Sequence, residues 1–258
     1  MKYLFAALGL LFLATACDLE EGCTDPTAEN YAPEADTDCC CEYFGLRLNR
    51  SGLWADTSSF SWSSKYPDMQ GDSFQLEQFR FFVSSFALRD HDGQWWRVQD
   101  SLLYPLANGS SRYLASDIAI WRNNSFLYDL GRFDQAREFD RLRFLVGADP
   151  NWSDLAPSQI ESSLALSSNF TASLYENGTY RSAEMQAVLG LDSSQYVLSD
   201  TVWVELPLAL SGSFDENLSL SLALDYSDLL RGVAFNRDDS SQIVQQIRQN
   251  MANAFQIP

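Results

Sequence analysis

The sequence has almost no histidine: His91 is the only one in 258 residues. It lies in Asp90-His91-Asp92-Gly93, a predicted tight turn, because Asp-Gly supplies the positive φ angle that a short hairpin needs. A Ser-His-Asp hydrolase needs a histidine held against a nucleophile in a cleft, which a solvated turn does not provide. The sequence also lacks a Gly-x-Ser-x-Gly elbow, a phosphate-binding loop and a dinucleotide-binding fingerprint. We therefore expect no catalytic activity.

Basic residues are also scarce. The chain has 17 lysines and arginines against 35 aspartates and glutamates, which gives a formal net charge of -18 and a pI of about 4.2. Such a surface repels phosphate backbones, so we expect no nucleic-acid partner. The ordinary role of an acidic surface is to keep the protein soluble, and binding of a specific cation is the alternative.

Long apolar runs are absent. The N-terminal run, Tyr3 to Ala14, is shorter than the roughly 20 residues that a membrane-spanning helix needs, and with Lys2 it forms a secretory signal peptide over residues 1–16. Leu13-Ala14-Thr15-Ala16-Cys17 resembles the lipobox of bacterial lipoproteins, which implies cleavage before Cys17 and acylation of that residue. We then expect an outer-membrane lipoprotein, anchored to the membrane by its N-terminal lipid and facing the periplasm or the cell surface. Ordinary secretion, with Cys17 in a disulfide, is the alternative.

Cysteine is absent after Cys41. Once Cys17 carries lipid, Cys23, Cys39, Cys40 and Cys41 remain, and in an oxidising compartment they allow three disulfide connectivities. A direct bridge between neighbours is strained, because a normal disulfide holds its Cα atoms about 5.5 Å apart. We therefore expect Cys23 to pair with Cys41 or Cys40. A thiolate metal site is the alternative, although zinc sites prefer cysteines separated by two to four residues.

Residues 17–43 are predicted to form an acidic tether and a disulfide-pinned spacer. The stretch from Cys23 to Ala35 resembles a short cysteine-bounded module of secreted proteins from the Bacteroidota, although the usual Asp-Asp-Gly-Ser before the last cysteine is replaced here. Calcium prefers hard oxygen ligands, so its candidate ligands in this spacer are Asp25, Asp36 and Asp38, together with Asn30. A spacer that is held by disulfides alone is the favoured interpretation.

Residues 44–258 are predicted to form one large β-domain. Phe74 to Leu88 and Phe139 to Gly147 are rich in aromatic residues and carry apolar residues at both alternating sets of positions. Alternate side chains of a strand point to opposite faces, so such strands belong in a sheet that is covered on both sides. In the first strand we expect Phe79, Phe81, Val83 and Ala87 on one face, and Phe82, Phe86 and Leu88 on the other. The fold class is therefore all-β, a β-sandwich with aromatic-rich central strands and short helices.

Other segments extend this β-domain. Glu176-Asn177-Gly178-Thr179 predicts a second hairpin turn, while Tyr180 to Leu189 is compatible with a strand or a helix. Val202 to Leu210 is a strand that Pro207 places near an edge or a bulge, and Leu218 to Tyr226 alternates as a half-buried strand. An amphipathic helix, capped by Ser240 or Ser241, closes the chain.

The sequence contains seven tryptophans. Exposed aromatic rings on a β-sandwich can stack on the apolar faces of sugars. Trp95-Trp96 places one ring on each face of its strand, so we expect one ring in the core and one on the surface. Packing explains most of the tryptophans, and a carbohydrate site is the alternative.

Three segments make the β-domain resemble the copper-binding MbnP-like family. They are Phe74 to Leu88 with the turn at Asp90 to Gly93, Phe139 to Ala148, and Leu206 to Phe255, and their order and spacing cover most of residues 44–258. The resemblance implies copper binding by histidine and an oxidised tryptophan (kynurenine). It also implies a dihaem peroxidase-like partner, which forms the kynurenine.

The chain departs from this family at the residues that bind copper. The family usually has an Asn-His pair after its glycine strand, where Asn151-Trp152 stands here, and a later histidine-bearing strand has no histidine. Copper favours imidazole and sulfur ligands, which makes His91 a metal candidate in the β-domain. The resemblance adds Trp152 as the second candidate, because it stands where the family has the histidine of its Asn-His pair and because the family uses an oxidised tryptophan. We predict a lipid-anchored extracytoplasmic binding protein that handles copper or another metal through an altered or degenerate site. The alternative is an adhesion or glycan-binding module that uses exposed aromatic residues.

Overall fold

The computed structural model describes residues 19–26, 28–55, 58–123, 127–133, 138–171, 173–208 and 218–258. The predicted signal peptide and Cys17 lie outside the described residues. The chain divides into two compact units, Met1–Tyr43 and Phe44–Pro258. In the described part of the chain, no helix is long and apolar enough to cross a membrane.

Disulfides cross-link the N-terminal unit. Strand β1 (Glu21–Gly22) pairs in parallel with β2 (Thr37–Asp38). A disulfide joins Cys23 to Cys41, one of the two pairings expected, with a Cα–Cα distance of 4.7 Å.

The neighbours Cys39 and Cys40 are also joined, contrary to the expectation that adjacent cysteines avoid each other. Cys40 adopts a φ of 59°, a left-handed conformation that few non-glycine residues use. The backbone at Cys40 is therefore not extended. In an extended chain the side chains of Cys39 and Cys40 would point to opposite sides.

Strands dominate the second unit. They account for 47% of the residues that the structure describes, against 12% in helices, which confirms the all-β class. In chain order the strands of this unit are β3 (Gly45–Trp54), β4 (Ser58–Ser59), β5 (Tyr66–Pro67), β6 (Ser73–Asp90), β7 (Trp95–Arg97), β8 (Ser101–Pro105), β9 (Ser111–Ala115), β10 (Ala119–Trp121), β11 (Leu127–Arg132), β12 (Phe139–Val146), β13 (Tyr175–Glu176), β14 (Thr179–Tyr180), β15 (Ala183–Leu189), β16 (Asp192–Leu198), β17 (Val202–Pro207), β18 (Leu218–Asp225) and β19 (Phe255–Gln256). The α-helices are α1 (Ser168–Thr171), α2 (Tyr226–Leu229) and α3 (Ser240–Met251), and two 3-10 turns lie at Pro150–Trp152 and Pro157–Gln159.

Two main sheets form a sandwich. The larger sheet has the order β16-β15-β6-β12-β17, with β5, β7 and β10 also paired to β6, and the smaller has the order β11-β3-β18-β19, with β4 paired to β3. The strands of the larger sheet pair antiparallel, whereas β3 and β18 pair in parallel. One buried cluster takes side chains from both sheets, including Leu46 and Leu48 of β3 and Phe79 and Phe81 of β6. The main core therefore lies between the two sheets.

The faces of β6 differ from the simple alternation that the sequence predicts. Two β-bulges insert an extra residue in β6, one near Glu77 opposite β15 and one near Ser85 opposite β12. Each bulge shifts the phase of the side chains by one position. Phe86 and Leu88 therefore join Phe79, Phe81 and Val83 in the main core, instead of lying on the opposite face.

The opposite face of β6 is covered as expected, but by loops and short elements. A second buried cluster surrounds Phe82 and includes Tyr104, Trp152 and Tyr180. Phe82 meets the rings of Trp152 and Tyr180 edge-on, at centroid distances of 5.3 Å and 5.7 Å. The central strand is thus buried on both sides at this point.

The turn and edge predictions are confirmed. The Asp90–Gly93 turn joins the antiparallel strands β6 and β7, and Asn177 and Gly178 take positive φ angles between β13 and β14. The ambiguous segment 180–189 contains strand β15, and β17 ends at Pro207 on the edge of its sheet.

The cap of helix α3 is Asp239, not Ser240 or Ser241. The Asp239 carboxylate accepts a hydrogen bond from the backbone N–H of Gln242 at 2.9 Å, and the Gln242 side chain accepts one from the Asp239 N–H at 3.0 Å. This reciprocal pair satisfies two backbone donors, which one serine hydroxyl does not.

The bulge at Ser85 depends on a buried carboxylate. Ser85 has a φ of 56°, and Asp117, which is 3% exposed, accepts a hydrogen bond from the backbone N–H of Phe86 at 2.6 Å. Burial raises the pKa of Asp117 to about 6, and the backbone N–H groups of Phe86 and Ser85 oppose that rise. The carboxyl group therefore supplies an acceptor to backbone donors in the bulge.

Asp117→Asn should change the pH dependence of the free energy of unfolding. The folded-state pKa lies above the ordinary value of 3.8, so the folded chain binds this proton more tightly than the unfolded chain. The stability gained in this way is fully present below about pH 4 and is lost as the pH rises through about 6. Relative to Asp117→Asn, the wild type should lose about 2–3 kcal/mol between pH 4 and pH 7 in urea unfolding.

Asp92→Asn is the matched control, because Asp92 is exposed in the β6–β7 turn. It should follow the wild-type pH profile. Identical profiles for the wild type and Asp117→Asn would contradict the role given to Asp117.

Candidate functional site

His91 does not lie in a binding pocket. Its side chain is 61% exposed, and its Nε2 atom lies 3.5 Å from Oε2 of Glu138. The turn between β6 and β7 holds it at the surface, where its described ionic neighbour is a carboxylate that is itself 54% exposed.

Trp152, the second metal candidate, is buried elsewhere. It is 3% exposed and closes a 3-10 turn that Asp149 caps by accepting a hydrogen bond from the Asn151 N–H at 2.9 Å. Its ring packs on Phe82, which precedes His91 by nine residues along β6. At about 3.3 Å per residue, nine residues of extended chain span roughly 30 Å. The structure therefore does not bring His91 and Trp152 together.

The remaining soft ligands of the β-domain do not complete a copper site. Met185 and Met251 are buried in the main core, and Met69 is 59% exposed. Among the described residues, one group of three histidine, cysteine or carboxylate ligand atoms lies within 4.8 Å of one another, and it belongs to the N-terminal unit. The copper site implied by the family resemblance does not fit the residues of this β-domain.

The group in the N-terminal unit consists of Cys23 Sγ, Cys41 Sγ and a carboxylate oxygen of Asp38. The two sulfurs are joined as a disulfide, a form in which they are not thiolate ligands. Asp38 Oδ1 also accepts a hydrogen bond from the backbone N–H of Thr24 at 2.9 Å. After reduction, the Cys23 and Cys41 thiols would lie beside the Asp38 carboxylate, which the Thr24 N–H already holds in place.

The three calcium candidates do not converge. Asp36 accepts a hydrogen bond from the Glu20 N–H at 3.2 Å, Asp38 from the Thr24 N–H, and Asp25 from the Tyr43 hydroxyl at 2.9 Å. Asn30 likewise hydrogen-bonds to the backbone of Cys40 and Glu42, at 2.7 Å and 2.8 Å. Three of these side chains thus hold backbone groups and Asp25 holds a tyrosine side chain, and the three carboxylates do not form one group of ligand atoms.

Sequence reasoning missed an arginine in the core. Arg50 lies on β3 in phase with the buried residues Leu46 and Leu48, at a position where the alternation predicts an apolar side chain. It is 8% exposed, and its Cζ atom lies 5.4 Å from the ring centroid of Trp121. Burial lowers the pKa of Arg50, and the hydroxyl groups of Tyr128 and Tyr226 oppose that shift. The signal in the sequence was the charged residue that follows Leu46 and Leu48 at the same spacing.

Arg50 lines a cleft of about 460 Å3 together with three aromatic rings and several polar side chains. Phe60 stacks on Tyr226 at a centroid distance of 4.0 Å and meets Trp62 edge-on at 4.9 Å. Gly52 makes this stack possible, because a Cβ atom there would lie 2.9 Å from Cε2 of Tyr226. The glycine at position 52 therefore lets the Tyr226 ring pack directly against the backbone of β3.

Strand β18 and its helix cap position Tyr226. Asp225 ends the strand and caps α2, accepting hydrogen bonds from the N–H groups of Ser227 at 2.7 Å and Asp228 at 3.3 Å. Burial raises the pKa of Tyr226 above its ordinary value, while the indole N–H of Trp121 and the charge of Arg50 oppose that rise. Among the described residues, neither the Tyr226 hydroxyl nor Nε1 of Trp121 has a hydrogen-bond partner of normal geometry.

The chemistry of the cleft suits an uncharged or anionic group better than a cation. Arg50 contributes a positive charge, and Asn123 contributes an amide whose Nδ2 donates to the Glu77 carbonyl at 2.9 Å. Copper prefers imidazole and sulfur, and the lining of the cleft contains neither. The cleft is therefore not a substitute for the family's metal site.

Arg50→Met should leave the free energy of unfolding unchanged or raise it by about 1 kcal/mol. Replacing a buried charge by an apolar side chain of similar length removes the desolvation cost and keeps the packing of the stem. Urea unfolding measures the change. Arg47→Met is the control, because Arg47 is exposed on the other face of β3 and its substitution should shift stability by less than about 0.5 kcal/mol. A loss of more than about 2 kcal/mol for Arg50→Met would show that Arg50 is kept for stability.

The two tryptophans of β7 divide between the faces of the sheet, as predicted. Trp96 packs against the main core, and its Nε1 donates a hydrogen bond to Asp90 Oδ2 at 2.7 Å. Trp95 lies on the outer face, with its ring centroid 4.2 Å from Cζ of Arg143.

Comparison with known proteins identifies the family. The model of the MbnP family matches residues 46–246. Among solved structures, the chain is similar to MbnP from Methylosinus trichosporium, with 12% sequence identity, a TM-score of 0.43 and coverage of 78% of this chain and 86% of that one. No curated protein matches the chain. On the family match, this chain belongs to the MbnP family, whose members are periplasmic or extracytoplasmic proteins.

Proposed function

We propose that this MbnP-family protein is a lipid-anchored extracytoplasmic binding protein that handles copper through an altered site in its N-terminal unit. The supporting observation is the approach of Cys23 Sγ, Cys41 Sγ and an Asp38 oxygen to within 4.8 Å of one another. His91 and Trp152, which lie far apart in the β-domain, take no part in this site.

The proposed site works only in the reduced form. Exchange with a dithiol reductant, which is itself oxidised to a disulfide, converts the Cys23–Cys41 disulfide into two thiols. Loss of their protons to solvent gives the thiolates that bind metals. Thiolate sulfur is a preferred ligand of Cu(I). Reduction of the Cys39–Cys40 pair adds two more thiols next to Cys41 in the sequence. The oxidised chain offers no thiolate at these positions.

The soluble chain that begins at Asp18 should bind Cu(I) after reduction. In competition with a Cu(I) chelator, the double substitution Cys23→Ser and Cys41→Ser should lower the affinity by at least about tenfold, which corresponds to about 1.4 kcal/mol. His91→Ala is the matched control and should bind as the wild type does, because His91 is an exposed side chain of the β-domain and is not one of the three ligands of the proposed site.

Two results would contradict this site. The first is full Cu(I) affinity in the double serine variant, and the second is loss of affinity in His91→Ala. Measurements on the oxidised chain add a second criterion, since the proposal expects its affinity to fall as the thiolates are removed.

The lipid anchor at Cys17 is the other part of the proposal. Cys17→Ser should abolish incorporation of labelled fatty acid and move the protein from the membrane fraction to the soluble fraction, because buried acyl CH2 groups supply the membrane affinity, about 0.8 kcal/mol each. Cys23→Ser, as a control, should keep the label. Labelling that persists in Cys17→Ser would exclude this anchor.

A further inference from the structure

The outer face of the larger sheet carries an arginine between two tryptophans. Arg143 lies on β12, and its Cζ atom is 4.2 Å from the ring centroid of Trp95 on β7 and 5.2 Å from that of Trp203 on β17. Trp203 is 50% exposed. We refer to Trp95, Arg143 and Trp203 as the outer-face row.

Arg143 is left out of the ion pairs on this face. Arg89 forms a two-point pair with Asp140 at 2.9 Å and 2.7 Å, and Arg141 pairs with Glu205 at 3.0 Å. Glu205 stands opposite Arg143 in the strand register, yet its carboxylate goes to Arg141. Among the described residues, Arg143 has no carboxylate partner, and its Nε is buried without an acceptor.

The two indole rings hold the guanidinium in place without using its hydrogen bonds. Cation–π contact binds the flat face of the guanidinium to a ring face. The N–H groups point outward in the plane of the guanidinium, so stacking leaves the two terminal Nη groups available for hydrogen bonds, while Nε is buried. The outer-face row therefore holds the Arg143 guanidinium in a position from which it can bind a planar oxyanion.

We propose that the outer-face row binds a carboxylate-bearing sugar, such as a uronic-acid unit of an oligosaccharide. The Arg143 guanidinium receives the carboxylate through paired hydrogen bonds. The exposed ring of Trp203 packs against the apolar face of the sugar. This activity is separate from the proposed metal site and uses none of its residues.

A neighbouring cleft gives the sugar chain room to continue. Trp203 also lines a cavity of about 480 Å3 together with Thr201, Val202, Arg248 and Gln249. This volume lies within the range of small-molecule sites, about 300–1,000 Å3. The Thr201 hydroxyl and the Gln249 amide offer both donors and acceptors to sugar hydroxyls. Arg248 already pairs with Asp200 at 3.1 Å, which leaves Arg143 as the proposed carboxylate receptor.

Because the protein has a net charge of -18, comparing an acidic sugar with a neutral one tests the proposed carboxylate contact directly. An acidic surface repels acidic polymers over long distances, so tight binding of a uronic acid requires a local contact that outweighs this repulsion. A neutral sugar of the same length feels no such repulsion and gains no carboxylate contact. The proposal predicts that the acidic sugar nevertheless binds more tightly.

The test uses the soluble chain that begins at Asp18, with its disulfides intact and without copper. Calorimetry should compare a uronic-acid tetrasaccharide with a neutral tetrasaccharide, and the acidic one should bind at least about tenfold more tightly. Arg143→Met and Trp203→Ala should each lower its affinity by at least about tenfold. Arg47→Met, an exposed arginine on the smaller sheet, is the matched control and should bind as the wild type does.

Three outcomes would overturn the proposal: no binding of the acidic tetrasaccharide at millimolar concentration, equal binding of the neutral one, or wild-type affinity in Arg143→Met. Urea unfolding of each variant checks that it is folded. If Arg143→Met does not fold, Trp203→Ala decides, because Trp203 is half exposed on an edge strand. The experiment contains no copper and no reduced cysteine, so its failure would not affect the proposed metal site.

Discussion

The β-domain depends on keeping one long strand in phase with the core. Strand β6 pairs with five other strands, and its apolar side chains must meet both the smaller sheet on one face and the second cluster around Phe82 on the other. Strict alternation over 18 residues would turn Phe86 and Leu88 away from the main core. The bulges near Glu77 and Ser85 correct this phase, and Asp117 accepts a hydrogen bond from the backbone N–H of Phe86 at the second bulge.

Sequence patterns predicted the parts of the fold that local chemistry decides. The aromatic strands, the Asp-Gly and Asn-Gly turns, the edge strand with Pro207 and the C-terminal helix all follow from residue type and spacing. The bulges did not follow, because a one-residue insertion leaves no local mark in a strand that is apolar on both faces. The Cys39–Cys40 pair also escaped prediction, since it depends on a left-handed backbone at Cys40.

Candidate sites were harder to predict than the fold. His91 and Trp152 were candidates by residue type and position, but whether they touch depends on the course of strand β6. Trp152 packs on Phe82 within that strand, and the turn at the end of the strand leaves His91 far from the Trp152 cluster. Arg50 could have been found as a charged residue in phase with Leu46 and Leu48. The outer-face row could not, because Trp95, Arg143 and Trp203 meet across strands that are distant in the sequence, and only the strand order brings them together.

This protein thus belongs to the MbnP family, while its residues do not form the copper site that the family resemblance implies. The measurement that tests this most directly is copper anomalous diffraction from crystals of the reduced soluble chain loaded with Cu(I). The account predicts an anomalous peak between Cys23 and Cys41, and no peak in the β-domain. A peak at His91 or beside Trp152 would contradict it.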